Sequence, residues 1–332
     1  MQTQAGHTRY AVCVAPNSIE FRQRPLPQPG PREVLIETRA VGLCTSDLLV
    51  ITGKHTAITP PTDYIGHEPG GVVVGAGPGV TRFRVGDRVS SLGGAPGPDI
   101  RMQFADHYVQ HEDAVFHVPE DLSFATGLCE PLAMVVKATL SSGIRPADLV
   151  AVVGAGFFGQ LLAQSIRLQG AWKVAMFDLL PSRLEIAKQL GADQVYNIRE
   201  GGVSDALEEL TQGQGFDLVI ESAGAPGALD TAAELVRPGG TIYSFGVHAW
   251  PETLDLWPWH HKAFRLLNNW RDSTARSRER NSRFAQIGLD WAARGWFKLD
   301  NLITTRPLSD LQQAVDEVVG HPDRVMKIVL TR

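Results

Sequence analysis

The sequence predicts an α/β protein of two unlike parts: an antiparallel, barrel-like β domain, then a doubly wound parallel sheet with helices on both faces. Three observations carry this. Residues 1–120 hold short strand-like runs broken by Gly and Pro, such as Val34–Ile36, Gly71–Val74 and Asp87–Val89, the texture of antiparallel β structure. From about residue 132 to 248, apolar runs of strand length alternate with helical patterns, which predicts parallel βαβ units. Where the first of those runs ends, Gly154-Ala155-Gly156-Phe157-Phe158-Gly159 forms a Gly-x-Gly-x-x-Gly motif between a strand and a helix.

In chain order, the glycine-rich stretches Val74–Val80 and Leu92–Gly97 read as loops. Leu149–Val153 is a strand without a polar residue, as expected of a parallel strand covered on both faces. Gln160–Leu168 is a helix, Lys173–Phe177 a strand, Ser182–Leu190 a helix, Asp217–Ile220 a strand, Ala228–Val236 a helix and Thr241–Phe245 a strand. Beyond residue 250 the chain carries Trp250, Trp257, Trp259, Trp270, Trp291 and Trp296. These aromatics are expected to serve a core and a subunit interface, with one or two in a pocket wall. Arg271–Arg283 is strongly charged and is expected to face solvent.

A chain of 332 residues accommodates two domains. With 43% hydrophobic and 20% charged residues it is not a disordered chain. A formal charge of −5 argues against a nucleic-acid partner. No apolar run reaches the roughly 18 residues of a spanning helix, so no membrane partner is expected. The N-terminus lacks a basic stretch followed by an apolar one. Cys13, Cys44 and Cys129 are the only cysteines. Three are too few for a disulfide framework or a four-cysteine zinc site and suit a cytoplasmic protein.

The glycine motif fits a dinucleotide. Gly154 permits the tight turn, Gly156 the approach of a pyrophosphate and Gly159 close helix–strand packing. Phe157 and Phe158 open a helix whose N-terminus offers N–H groups to phosphate. Asp178 closes the next strand at about the 20-residue spacing expected of the acid that binds the adenosine ribose. A carboxylate there favours NAD over NADP. Arg183 complicates this, because it could pair with a 2′-phosphate. Ala223 and the Phe245-Gly246-Val247 stretch, at the ends of two later strands, are further candidate cofactor contacts.

Three separated segments carry metal-ligand chemistry. They are Gly42-Leu43-Cys44-Thr45-Ser46-Asp47, Gly66-His67-Glu68-Pro69-Gly70-Gly71 and Cys129-Glu130-Pro131-Leu132. A thiolate from Cys44, an imidazole from His67 and a carboxylate from Glu130 make three protein ligands with an open fourth position, the form of a catalytic zinc site. With a neutral imidazole that set leaves the zinc centre net neutral. Direct binding of Glu68 as well would make it a weaker Lewis acid. Glu68 is therefore expected beside the ion or as an exchanging ligand. Cys13 and Cys129 read as small core residues.

The stretch from Gly66 through Glu68, Gly71 and Gly77 to Val80 matches the pattern Gly-His-Glu-x2-Gly-x5-Gly-x2-Val. On this pattern, and on the order of Cys44, His67-Glu68, Glu130 and the dinucleotide motif, the chain resembles the zinc-dependent medium-chain dehydrogenases over nearly its whole length. The resemblance implies a GroES-like catalytic domain at 1–133 and 269–332 and a Rossmann domain at 134–268. It implies one catalytic Zn2+ per subunit, NAD as cofactor, and a homodimer or homotetramer. Glutamate at the third ligand position is similar to the polyol and threonine dehydrogenase branch. That implies hydride transfer between a secondary alcohol (polyol, sugar, cyclitol or amino alcohol) and its ketone. Lys327 stands where the family places a basic residue near the pyrophosphate.

The chain departs from the family twice. Ser90 to Asp106 contains no cysteine, where many relatives insert a structural-zinc lobe. Asp47 is followed by Leu48 and Leu49, where relatives often carry a histidine that passes the proton to solvent. Ser46 keeps the first hydroxyl of such a relay, and the cofactor ribose, water or His55 must complete it. A substrate pocket is expected from Ser46, Leu48–His55, Gly93–Met102 and Asn268–Trp270. Two rival readings use the same fold: a zinc-free, NADPH-dependent reductase of enones or quinones, and a nucleotide-binding protein without turnover.

Overall fold

The structure is a computed structural model that describes residues 4–93, 103–268 and 275–332. The chain divides into two compact units, Met1–Ala133 with Arg278–Gly295 and Leu299–Arg332, and Met134–Ser277 with Trp296–Lys298.

The first unit opens with a hairpin, β1 (His7–Ala15) and β2 (Ser18–Pro25), turned at Asn17 with φ +59°. β3 (Glu33–Gly42) leads into a short helix, α1 (Thr45–Ile51). Then come β4 (Glu68–Ala76), β5 (Arg88–Ser91), β6 (His107–His111), β7 (Val115–His117) and a helix, α2 (Cys129–Ser141), whose first turn belongs to this unit. β3 is the spine of the sheet. It pairs antiparallel with β4 along most of its length and with β6 through Glu33–Glu37. Val34, Ile36, Val73, Val89, Tyr108 and Val115 bury their side chains against one another. Because successive side chains of a strand point to opposite faces, Val34 and Ile36 share one face of β3.

The second unit is a parallel sheet. Its elements are β8 (Leu149–Val153), α3 (Phe157–Leu168), β9 (Lys173–Asp178), α4 (Pro181–Gln189), β10 (Gln194–Asn197), α5 (Gly202–Thr211), β11 (Phe216–Glu221), α6 (Ala228–Leu235), β12 (Val236–Ser244), α7 (Trp257–Lys262) and β13 (Arg265–Asn268). The strand order is β10-β9-β8-β11-β12-β13 and every pairing is parallel. This order reverses direction between β8 and β11, which opens the crevice of a doubly wound fold. All of Leu149–Val153 is buried, as its apolar run predicts. Trp259 packs against this core, whereas Trp257 is exposed. The sequence reading passed over β10, α5 and β13, which are short or carry mixed polarity.

The chain ends with α8 (Ala275–Ala293), β14 (Ile303–Pro307), α9 (Leu311–Gly320) and β15 (Lys327–Thr331). β15 completes the first unit's sheet by pairing antiparallel with β3, Val329 opposite Gly42. Among the described residues no helix is long and apolar enough to cross a membrane. The chain thus combines the antiparallel GroES-like sheet and the parallel Rossmann sheet that its sequence predicts.

Candidate functional site

The pairing of β3 with β4 sets Gly42 opposite Glu68. That register brings the end of one strand beside the start of the other. Cys44, at the N-cap of α1, therefore meets His67 and Glu68. The ligand atoms of Cys44, His67 and Glu68 all lie within 4.8 Å of one another.

Asp47 organises this cluster from a buried position in the first turn of α1. Its Oδ2 accepts the Cys44 N–H at 3.0 Å and its Oδ1 accepts the Gly66 N–H at 2.8 Å. The same Oδ1 faces His67 Nδ1 at 3.3 Å. A proton on Nδ1 leaves Nε2 as the ligating nitrogen, and a carboxylate behind a metal-binding histidine fixes ring and tautomer in this way. Ser46 Oγ lies 3.5 Å from that Nε2. Burial disfavours the charged imidazole, but Asp47 and Cys44 outweigh it and hold His67 well above its ordinary pKa. The pocket attracts positive charge.

Lys327, the first residue of β15, is buried, and its Nζ lies 2.8 Å from Glu68 Oε1. Because β15 and β4 flank β3 at Gly42, these side chains meet over that glycine. A Cβ at Gly42 would overlap Glu68 Oε2 and crowd Lys327. The sequence reading assigned Lys327 to a pyrophosphate, and its link to Glu68 went unseen. The available signal was a lone cation in an apolar strand, since a buried charge requires a partner.

Glu130 lies in the first turn of α2 and is buried. Glu68, expected beside the ion or as an exchanging ligand, brings its carboxylate to Cys44 and His67. The objection to Glu68 was its charge, and the Lys327 ammonium removes that objection. With His67 neutral, the charges of Cys44, Glu68, Asp47 and Lys327 leave two net negative charges, which one divalent cation balances. Thiolate, imidazole and carboxylate together are a donor set that suits zinc.

His55 Nδ1 accepts the N–H groups of Ala57 and Ile58 at 3.1 and 2.9 Å, which caps its own loop. Cys13 and Cys129 are buried. Of the expected pocket wall, residues 94–102 and 269–270 lie outside the described residues, as do residues 271–274 of the charged tail segment.

The second unit gathers the dinucleotide motif at the carboxyl ends of its strands. Gly154 has φ +97°, and a Cβ there would stand 2.8 Å from the Ala223 nitrogen. A Cβ at Gly159 would overlap the Gly154 carbonyl oxygen, so the helix lies as close to the turn as the motif requires. Gly156, at the N-cap of α3, faces open space except for Arg183 Nη1 at 3.7 Å. The rings of Phe157 and Phe158 meet edge to face, and Phe158 lies 5.0 Å from Phe245. Asp178 closes β9. It accepts the Ala155 N–H at 2.7 Å and the Leu180 N–H at 2.9 Å, and Arg183 Nη1 lies 3.8 Å away. Gly246 and Val247 pack on Gly224, next to Ala223. Behind these loops stands a group the sequence reading missed, in which His248 lies between Glu221 and Glu252.

Comparison with known proteins agrees with both halves. Residues 30–120 match the family described as the alcohol dehydrogenase GroES-like domain, and residues 158–292 match that described as zinc-binding dehydrogenase. The chain is 30% identical to sorbitol dehydrogenase of Bacillus subtilis over 262 residues, covering 71% of this chain and 74% of that one. Among solved structures, an alcohol dehydrogenase of Escherichia coli CFT073 complexed with NADH superposes with a TM-score of 0.83 at 23% identity, covering 99% of this chain and 100% of that one. A Sinorhizobium meliloti 1021 protein bound to NADP superposes with a TM-score of 0.82 at 24% identity, covering 98% and 99%.

Proposed function

Because the chain belongs to the zinc-type medium-chain alcohol and polyol dehydrogenases, we propose that it is a zinc-dependent, NAD(H)-dependent oxidoreductase. It would interconvert a secondary alcohol (polyol, sugar, cyclitol or amino alcohol) and the corresponding ketone. The observation that carries this reading is the convergence of Cys44, His67 and Glu68 ligand atoms within 4.8 Å. Sorbitol dehydrogenase among the relatives supports the polyol class.

In this reading Cys44 Sγ, His67 Nε2 and the Glu130 carboxylate would hold the metal with Glu68 beside it or as an exchanging ligand, and Asp47 and Lys327 would orient His67 and Glu68. A bound zinc ion would polarise the alcohol oxygen and lower its pKa. The Ser46 hydroxyl, beside His67 Nε2, would accept the alcohol proton while passing its own on towards solvent, and NAD, when bound, would supply the hydride acceptor. The Gly154–Gly159 turn and the N-terminus of α3 bind the pyrophosphate. Asp178 receives the adenosine ribose, which favours NAD, and Arg183 bounds that pocket. Ala223, Phe245, Gly246 and Val247 border the nicotinamide half. The catalytic domain is assigned to 1–133 with 269–332, and the cofactor domain to 134–268. The three unpaired cysteines support a cytoplasmic location, and we expect a homodimer or homotetramer.

The test is metal analysis joined to an NAD-reduction screen over polyols and amino alcohols. Zinc should be present at one equivalent per chain. Cys44→Ser should lose zinc and turnover while still binding NADH. Full turnover by the zinc-free variant would favour a zinc-free reductase. NADH binding by the zinc-loaded protein with no turnover across the panel would favour a nucleotide-binding protein.

A further inference from the structure

His248 follows the segment that we read as the border of the nicotinamide half, and no step proposed above uses it. Its two ring nitrogens face two carboxylates, Nε2 at 2.9 Å from Glu221 Oε2 and Nδ1 at 2.8 Å from Glu252 Oε1. A neutral imidazole has one N–H, so one nitrogen would turn its lone pair on a carboxylate. Only the imidazolium donates on both sides. Burial works against the charge, but the hydrogen bonds and charges of Glu252 and Glu221 outweigh it and raise the pKa above the ordinary histidine value.

Glu221 is fully buried at the end of β11. Its Oε1 accepts the Gly224 N–H at 2.7 Å, and its main-chain oxygen accepts those of Phe245 and Gly246 at 2.7 and 3.0 Å. This one residue thus ties the turn after β11 to the segment after β12. The contact between them is backbone to backbone, since a Cβ at Gly246 would overlap the Gly224 nitrogen. The turn after β11 in turn abuts the dinucleotide motif, with the Ser222 hydroxyl donating to the Gly154 carbonyl at 2.8 Å. The chain is stacked in three layers at the carboxyl ends of β8, β11 and β12, and His248 fastens the outermost.

The geometry points to His248 as a positioning residue of the cofactor site: as an imidazolium bridging Glu221 and Glu252, it holds Phe245–Val247 in place against Ala223 and Gly224 for the nicotinamide end of the dinucleotide. The inference rests on the cofactor reading given above. In a doubly wound sheet the two halves bind the two ends of the dinucleotide. Asp178 on β9 marks the adenosine half, which leaves β11 and β12 to the nicotinamide half. Glu221 from β11 and Glu252 from its own segment are the charged groups that face the ring.

The test compares two ligands by calorimetry on the full-length, zinc-loaded protein. NADH reaches both halves, and ADP-ribose lacks the nicotinamide. His248→Ala should raise the Kd for NADH by about tenfold, the scale of a lost charge-assisted hydrogen bond pair, and leave that for ADP-ribose within about twofold. Wild-type affinity for NADH should fall as pH rises through the imidazolium titration, and the variant should lack that step. Glu252→Gln keeps the Glu221 contact and should shift NADH binding the same way by a smaller factor, which decides the matter if His248→Ala does not fold. Equal weakening of both ligands, or unchanged NADH binding with an unchanged pH profile, overturns the proposal. A wild-type protein that binds neither ligand overturns the cofactor reading together with it.

Discussion

Asp47 accepts hydrogen bonds from the Cys44 and Gly66 N–H groups and faces His67 Nδ1, so that in the proposed metal site Nε2 is the ligating nitrogen. Burial opposes its ionised form, yet His67 and the Gly66 and Cys44 N–H groups hold it below the ordinary carboxylate pKa. Asp47→Asn removes the charge that fixes the His67 tautomer. It should lower zinc affinity by about 10–100-fold, as measured by competition with a chromogenic chelator, and unchanged affinity would show that His67 is oriented by something else. Lys327 tests the same cluster from the other side. Lys327→Met leaves the Glu68 carboxylate buried without its cation, which costs about 3–5 kcal/mol in zinc-free protein. Urea unfolding should show a smaller loss with zinc bound, because a divalent ion then supplies the missing charge. Equal losses in the two states would mean that no ion sits beside Glu68.

At the scale of elements, the antiparallel sheet is held at its edge by Glu112, between β6 and β7. Its carboxylate accepts the N–H groups of Thr81 and Arg82 and that of Arg32 Nε, so one residue anchors two loops. Burial disfavours the charge, but these donors outweigh it and hold the pKa below the ordinary glutamate value. A lowered folded-state pKa stabilises above the unfolded-state pKa and is lost as pH falls through the folded one. Glu112→Gln should therefore cost about 1–3 kcal/mol near neutrality and flatten the acid limb of the stability curve. Denaturant unfolding between neutral pH and the acid range measures both, and an acid limb as steep as wild type would assign that limb to other carboxylates.

At the scale of the whole molecule, the two sheets carry separate chemistries. The proposed ligands Cys44 and His67, with Glu68 beside them, belong to one compact unit and the Gly154–Gly159 motif to the other. A ligand stabilises what it binds, by about 2.7 kcal/mol at a hundred times its Kd. Chelation should thus raise amide exchange in α1 and the start of β4 and leave β8 and β9 unchanged. NADH should protect the Gly154–Gly159 turn and residues 222–224 and 245–247. Hydrogen-exchange mass spectrometry resolves these segments, and zinc removal that loosened both units alike would contradict the assignment.

The sequence by itself determined the features that are local or periodic. The all-apolar run of β8, the short apolar runs at Val34–Ile36 and Gly71–Val74 and the contiguous Gly154–Gly159 motif reveal themselves without any partner, because each needs only its own residues. The Gly66-His67-Glu68 signature also made the candidate metal site legible as a place. How closely the Glu68 carboxylate approaches Cys44 and His67 was not legible, because it depends on the register of β3 against β4. The pairing of Lys327 with Glu68 depends on two strands flanking Gly42 from opposite sides. The His248 bridge depends on two loops packed backbone to backbone. Tertiary structure decided these because a buried charge is set by the neighbours that compensate it, and those neighbours are distant in the chain.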